Sequence, residues 1–238
     1  MSPITHILLD IEGTTSSIAF VHEVMFPFVR REFKSFLQAH FSDIEMKPVW
    51  DAVAKDAGAA DLDELALREN LAPIKALERT AIRLMDADAK VTGLKELQGR
   101  IWKAGFESGE LKADVYVDVP KALKRWTDAG IDVRIYSSGS VAAQRLFFGH
   151  TVFGDLRPFL SGYYDTTTGP KREADSYRKI AKDIGAPTST IIFFSDIVAE
   201  LDAAHSAGMQ TGLMLRPGNA PVDGDQTHLM HETFEGIC

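Results

Sequence analysis

Two textures of hydrophobic and polar residues divide this chain. A short apolar run, Ile4 to Leu9, leads straight into Asp10-Ile11-Glu12-Gly13-Thr14-Thr15. A run of that length predicts a buried strand, and the Gly-Thr-Thr marks the point where the chain turns off a sheet. After it the pattern changes. Val24, Phe28, Phe33, Phe36 and Leu37 recur at helical spacing among charged residues, and further helical stretches are predicted over 47–57, 63–85 and 92–107, with Pro73 as a break or kink. No strand is predicted between Ser16 and Leu111. A parallel crossover needs only about a dozen residues, so a separate helical domain is expected here.

From Tyr116 onward strands and helices alternate. The pattern predicts a helix over 119–129, a strand over 132–136, a helix over 141–148, a weaker strand over 162–165 and a helix over 173–184. The clearest strand, 190–194, precedes a helix running to Ala207, a strand over 210–215 and the turn Arg216-Pro217-Gly218-Asn219. This alternation predicts an α/β fold with a doubly wound parallel sheet. Its core is expected from residues 1–15 and 113–238, with a helical domain inserted at 16–112. The tail from Ala220 reads as polar and loosely held.

Composition narrows the class without changing the architecture. The 238 residues are 45% hydrophobic and 25% charged, ordinary for a water-soluble globular chain long enough for a sizeable core. A net charge of -8 argues against nucleic acid and acidic membranes as partners. Cys238 is the only cysteine, so no intrachain disulfide can form, which fits a reducing compartment. Without a secretory pattern at Met1 to His6 or a long apolar span, the expectation is a soluble cytoplasmic protein.

Four strand ends carry Asp10 with Glu12, Ser137 with Ser138, Lys171, and Asp196, in that order. Ligands of open α/β sheets bind outside these carboxyl ends. Each residue type suits one part of phosphoryl transfer. Asp10 is a candidate nucleophile, and Glu12 a candidate acid/base for the leaving oxygen and the attacking water. Asp10 and Asp196 offer the hard oxygen ligands that magnesium prefers. Ser137 and Ser138, with nearby amides, suit phosphate oxygens, and Lys171 supplies positive charge. Each station also has a bland reading: a turn or cap for the acids, a helix N-cap for the serines and a solvated charge for the lysine. Their arrival in order on four strand ends favours the chemical reading.

These stations resemble the haloacid dehalogenase-like superfamily. Glu12, where most members carry a second aspartate, together with Ile-Tyr-Ser-Ser-Gly-Ser-Val, Gly-Pro-Lys, Arg-Pro-Gly-Asn and Leu97-Gln98-Gly99-Arg100-Ile101-Trp102, is similar to the enolase-phosphatase (acireductone synthase) family within it. The resemblance covers nearly the whole chain. It implies a haloacid dehalogenase-like core, a cap domain at 16 to about 112 that closes over the site, and one Mg2+ per chain. It implies Asp10 as nucleophile and magnesium ligand, Glu12 as acid/base lending its main-chain carbonyl to the metal, Asp196 as the remaining protein ligand, and Ser137, Ser138 and Lys171 as phosphate contacts. The implied substrate is a small phosphate ester, 2,3-diketo-5-methylthiopentyl-1-phosphate, enolised and then dephosphorylated to the acireductone in methionine salvage by a monomer.

The enolisation base is not identified by the resemblance. Glu12 is the hypothesis, because its side chain reaches further than aspartate and already shuttles a proton. Phe20, Phe26 and Trp102 are candidates for a methylthio pocket, against a stronger expectation of core packing. Glu200, one helical turn after Asp196, is either a group orienting the metal's water shell or a solvated charge, and His205 reads as structural or exposed. The competing functions are a capped phosphatase without enolisation, a non-catalytic binding module and, less favoured, a dehalogenase.

Overall fold

The computed structural model describes residues 2–222 and 227–237; the cysteine, Cys238, lies outside them. The chain forms two compact units, one of Met1–His22 with Lys112–Cys238 and one of Glu23–Leu111. Strand β1 is His6–Leu9. Five helices then make up the second unit: α1 Phe26–His40, α2 Lys47–Asp56, α3 Leu62–Glu69, α4 Pro73–Asp86 and α5 Thr92–Ser108. The chain returns through α6 Val119–Asp128, β2 Asp132–Tyr136, α7 Val141–Gly149, β3 Gly162–Tyr164 and α8 Ala174–Ile184. It ends with β4 Ile191–Ser195, α9 Val198–Ser206, β5 Gln210–Met214 and β6 Leu229–His231.

The strands form one sheet in the order β3-β2-β1-β4-β5-β6, and every adjacent pair is parallel. Strand β1 is central, with Leu9 beside Ile135 of β2 and Phe194 of β4. Burial on both faces explains why β4 reads as a continuous apolar run rather than an alternating one. On one face Leu8, Tyr136, Phe193 and Leu213 join a core cluster with Tyr177 and Ile180 of α8 and Leu201 and Ala204 of α9. On the other, Phe194 stacks on Trp126 of α6 at 6.5 Å and meets Phe234 edge-on at 5.4 Å. Strand order reverses around β1, and that crevice is where such sheets bind ligands.

Two local expectations are corrected and one is met. The residues after Thr15 stay with the sheet-bearing unit: the N–H groups of Thr14, Thr15 and Ser16 all donate to Ile11 O, Ser16 Oγ donates to Asp114 O at 2.6 Å, and Phe20 packs on Phe147. A π-helical turn, Phe20–Met25, then precedes α1 and breaks the 3.6-residue period, leaving Val24 exposed. The break expected at Pro73 within 63–85 is found: Asn70 takes a left-handed conformation at φ 51° after the first helix and Pro73 opens the next. Finally, the described residues 227–237 of the tail are held, while 223–226 lie outside the described residues. Phe234 is fully buried, its N–H donates to Asp118 Oδ2 at 2.7 Å, and Trp126 Nε1 and Arg125 donate to the main-chain carbonyl of Ile237. A polar segment is anchored here by main-chain acceptors and one aromatic.

Inside the helical unit α2 packs closely on α5. A Cβ on Gly93 would lie 2.3 Å from the Ala52 carbonyl carbon, so glycine permits that approach. Phe26 and Trp102 face each other at 5.7 Å and Trp102 Nε1 donates to Met25 O. Half-buried Phe26 and Trp102 thus pack on each other within this unit, and buried Phe20 packs on Phe147.

Candidate active site

The loop after β1 is wound tightly by its own hydrogen bonds. Besides the three amides on Ile11 O, Thr15 Oγ1 donates to Asp10 O at 3.1 Å. Gly13 sits in the left-handed region at φ 67°. A Cβ there would be 2.5 Å from the Asp196 carboxyl and 2.9 Å from Asn219 Oδ1. Glycine therefore lets the loops after β1, β4 and β5 converge. Asn219 Nδ2 donates to Gly13 O and Met214 O, and Arg216 Nε donates to Thr14 O. Arg216 is itself buried against Asp118, bidentate at 3.0 and 2.8 Å. The turn Arg216-Pro217-Gly218-Asn219 thus fixes the main chain at Gly13 and Thr14.

A small open cleft of about 150 Å³ lies at these strand ends, lined by Asp10, Glu12, Ile18, Ser138, Lys171, Asp196, Ile197 and Glu200. Five of the six residues expected from the sequence line it. Ser137 does not: it is buried and its hydroxyl accepts the Gly139 N–H at 3.3 Å, while Ser138 is exposed. The N-cap of α7 is Ser140, accepting from Ala143 N–H.

Asp10 is buried. Its Oδ1 accepts the Ile11 N–H at 2.8 Å and its Oδ2 takes Lys171 Nζ at 2.8 Å. Lys171 Nζ also meets Glu200 Oε2 at 2.6 Å, so one ammonium serves two carboxylates. The loop carrying Lys171 is pinned by three hydroxyls: Tyr136 donates to Gly169 O, Ser176 to Pro170 O and Tyr177 to Lys171 O, at 2.9, 2.7 and 2.7 Å. Burial opposes the lysine's charge, but Asp10 and Glu200 outweigh it and raise its pKa, so it remains an ammonium. Glu200 is pushed up by burial and by the Asp10 charge, as expected where two acids share one cation. Burial, then Asp10, pushes Asp196 up to about 7.

The cleft thus holds four carboxylates against one ammonium. That excess negative charge fits a bound divalent cation. Among the described residues no three His, Cys, Asp or Glu side chains form a complete metal centre. Two carboxylates plus a main-chain carbonyl suit magnesium, which keeps several waters and seldom takes an all-protein cage. Asp10, Asp196 and the carbonyl of Glu12 would hold it.

Ser195, Tyr136, Ser176 and Tyr177 were not singled out from the sequence. Ser195 adjoins Asp196 at a strand end, a position that could have flagged it; the hydroxyls on the lysine loop give no local signal. His205 is exposed and packs its ring on His228.

A parallel sheet with this strand order, an acidic loop after its central strand and a lysine on that acid define a hydrolase of the haloacid dehalogenase class, and the model of the haloacid dehalogenase-like hydrolases matches residues 4–208. The chain is 47% identical over 228 residues to the enolase-phosphatase E1 of Synechococcus elongatus, covering 94% of each chain. It is 48% identical over 215 residues to that of Aquifex aeolicus, covering 90% of this chain and 92% of the other. The crystal structure of the UTR4 protein of Saccharomyces cerevisiae superposes with a TM-score of 0.82 at 37% identity, over 98% of this chain and 100% of that one. The chain belongs to the haloacid dehalogenase-like hydrolases and, within them, to the enolase-phosphatase E1 family. It is an enzyme of the phosphatase kind. Among the described residues no helix is long and apolar enough to cross a membrane.

Proposed function

We propose that this chain is a magnesium-dependent enolase-phosphatase of methionine salvage, acting as a monomer in the cytoplasm. It converts the diketo phosphate ester 2,3-diketo-5-methylthiopentyl-1-phosphate to the acireductone and phosphate through a phosphorylated Asp10. The observation that carries the reading is the buried Asp10 carboxylate held by Lys171 in the cleft that Glu12 and Asp196 also line. The names of the relatives support the pairing of the two reactions.

Asp10 attacks the phosphorus, and Lys171 offsets the charge of the transferring group. Glu12 gives a proton to the leaving oxygen, then takes one from the water that releases phosphate. Ser138, exposed at the cleft, contacts the phosphate oxygens, and Ser137 acts through the loop it stabilises by accepting the Gly139 N–H. Magnesium, when bound, would be held by Asp10, Asp196 and the Glu12 carbonyl and would supply charge neutralisation for the phosphate and Lewis acidity towards a carbonyl. In the enolisation step Glu12 takes the proton from the carbon beside a substrate keto group, the C–H electron pair forms the enol double bond, and the keto oxygen takes up a proton from water. The helical unit of residues 23–111 is the cap domain.

The test is a time course on the diketo phosphate ester with and without magnesium, following enol absorbance and free phosphate together. The account expects enol before phosphate, both requiring magnesium. Phosphate without an enol signal would leave a phosphatase that does not enolise, and the absence of both signals would overturn the reading.

A further inference from the structure

Ser195 ends β4 with no exposed surface. Its Oγ lies 3.3 Å from Asp10 Oδ2 and 3.0 Å from Glu200 Oε2, and it accepts the Ile197 N–H at 3.1 Å. A hydroxyl has one proton, so Ser195 can donate to only one of the two carboxylates at a time. Lys171 Nζ spans the same two oxygens. Oδ2 of Asp10 therefore faces two donors, whereas Oδ1 accepts the Ile11 N–H and keeps a lone pair for attack.

We propose that Ser195 is a positioning residue whose single proton turns from Asp10 to Glu200 when the phosphoryl group arrives on Asp10, and back as it leaves, so that Ser195 assists the second half of the reaction. The inference rests on the reading of Asp10 as the nucleophile. In the first half-reaction the bond from Asp10 Oδ1 to phosphorus forms, the ester P–O bond breaks, and the leaving oxygen takes the Glu12 proton. Oδ2 is then the carbonyl oxygen of an acyl phosphate, a weaker acceptor than the anionic Glu200, and the Ser195 proton turns to Glu200. In the second half a water oxygen bonds to phosphorus, its proton goes to Glu12, and the electron pair of the breaking P–Oδ1 bond returns to the Asp10 carboxylate. Charge reappears on Oδ2, where Ser195 and Lys171 meet it with donors already in place. A hydrogen bond to the free carboxylate favours that state over the acyl phosphate. Its loss should therefore slow phosphate release and not the attack.

The experiment compares the full-length chain with Ser195→Ala and Ser195→Thr in magnesium buffer, using the diketo phosphate ester and nitrophenyl phosphate. It measures kcat, KM, the fraction of enzyme phosphorylated after rapid acid quench, and the melting temperature. For Ser195→Ala, kcat and KM should fall together by about tenfold, the size of one hydrogen bond to a charged group. In that variant kcat/KM should hold, phosphorylated enzyme should accumulate, and Ser195→Thr should restore the wild-type values. Wild-type kcat in Ser195→Ala, or a fall in kcat/KM without accumulation, overturns the assignment while an active wild-type chain leaves the proposed function standing. A wild-type chain that releases phosphate from neither ester removes that function and the Ser195 role with it.

Discussion

Replacing Gly13 by alanine should damage stability and catalysis by two separable routes. The first is conformational: φ is 67°, a region that costs a non-glycine residue about 1–2 kcal/mol. For a chain of this length that lowers the melting temperature by about 2–8 °C. The second is steric. The new methyl would stand 2.5 Å from Cγ and Oδ2 of Asp196. Restoring an ordinary carbon contact moves that carboxylate by about 1 Å, and a displacement of that size in a reacting site costs roughly a hundredfold in rate. Gly130→Ala separates the two, because Gly130 has φ 79° with nothing within 4 Å of its would-be Cβ. It should show a comparable loss in melting temperature and unchanged kcat. The assay pairs thermal melts with phosphate release in magnesium. Wild-type kcat in Gly13→Ala would refute the inference that Gly13 sets the place of Asp196.

Asp118→Ala leaves the Arg216 guanidinium buried without its carboxylate and the Phe234 N–H without its acceptor; unfolding free energy by denaturant should fall by about 3–5 kcal/mol. Glu12→Gln should stop enolisation as well as phosphate release, and normal enol formation in that variant would remove Glu12 as the base. Burial lowers the pKa of His231 below its usual 6.5. The native state thus resists protonation that the unfolded chain accepts. Stability should be complete above the unfolded pKa and decline as pH falls through the lower folded value, a slope that melts of His231→Asn should lack.

How far the sequence reaches depends on the range of the interactions. The strands and their carboxyl ends are legible because burial on both faces imposes apolar runs and each run stops at a polar residue: Leu9 before Asp10, Phe194 before Ser195. The helices of the second unit are legible by period, except where the π-helical turn at Phe20–Met25 shifts the phase. What is not legible is carried by partners distant in the chain. The spacing of Glu200 and Asp196 suggests one helix face, but α9 begins at Val198, and the partner of Glu200 is Lys171, 2.6 Å away through a fold that no local pattern encodes. Ser137 and Ser138 are adjacent, but one faces inward at the end of β2 and the other reaches the cleft. The tail reads as loose because its residues are polar, whereas the main-chain carbonyls of Glu232 and Ile237 are the acceptors that Arg125, Trp126 and Arg216 need.

The central claim is that Asp10 carries the phosphoryl group during turnover. The most direct measurement is an acid quench during turnover of the diketo phosphate ester with magnesium, followed by mass-spectrometric location of phosphate on the peptides. Phosphate is expected on Asp10 in the wild-type chain and nowhere in Asp10→Asn. A turning-over enzyme with phosphate on another residue, or in which Asp10→Asn keeps releasing phosphate, would contradict it.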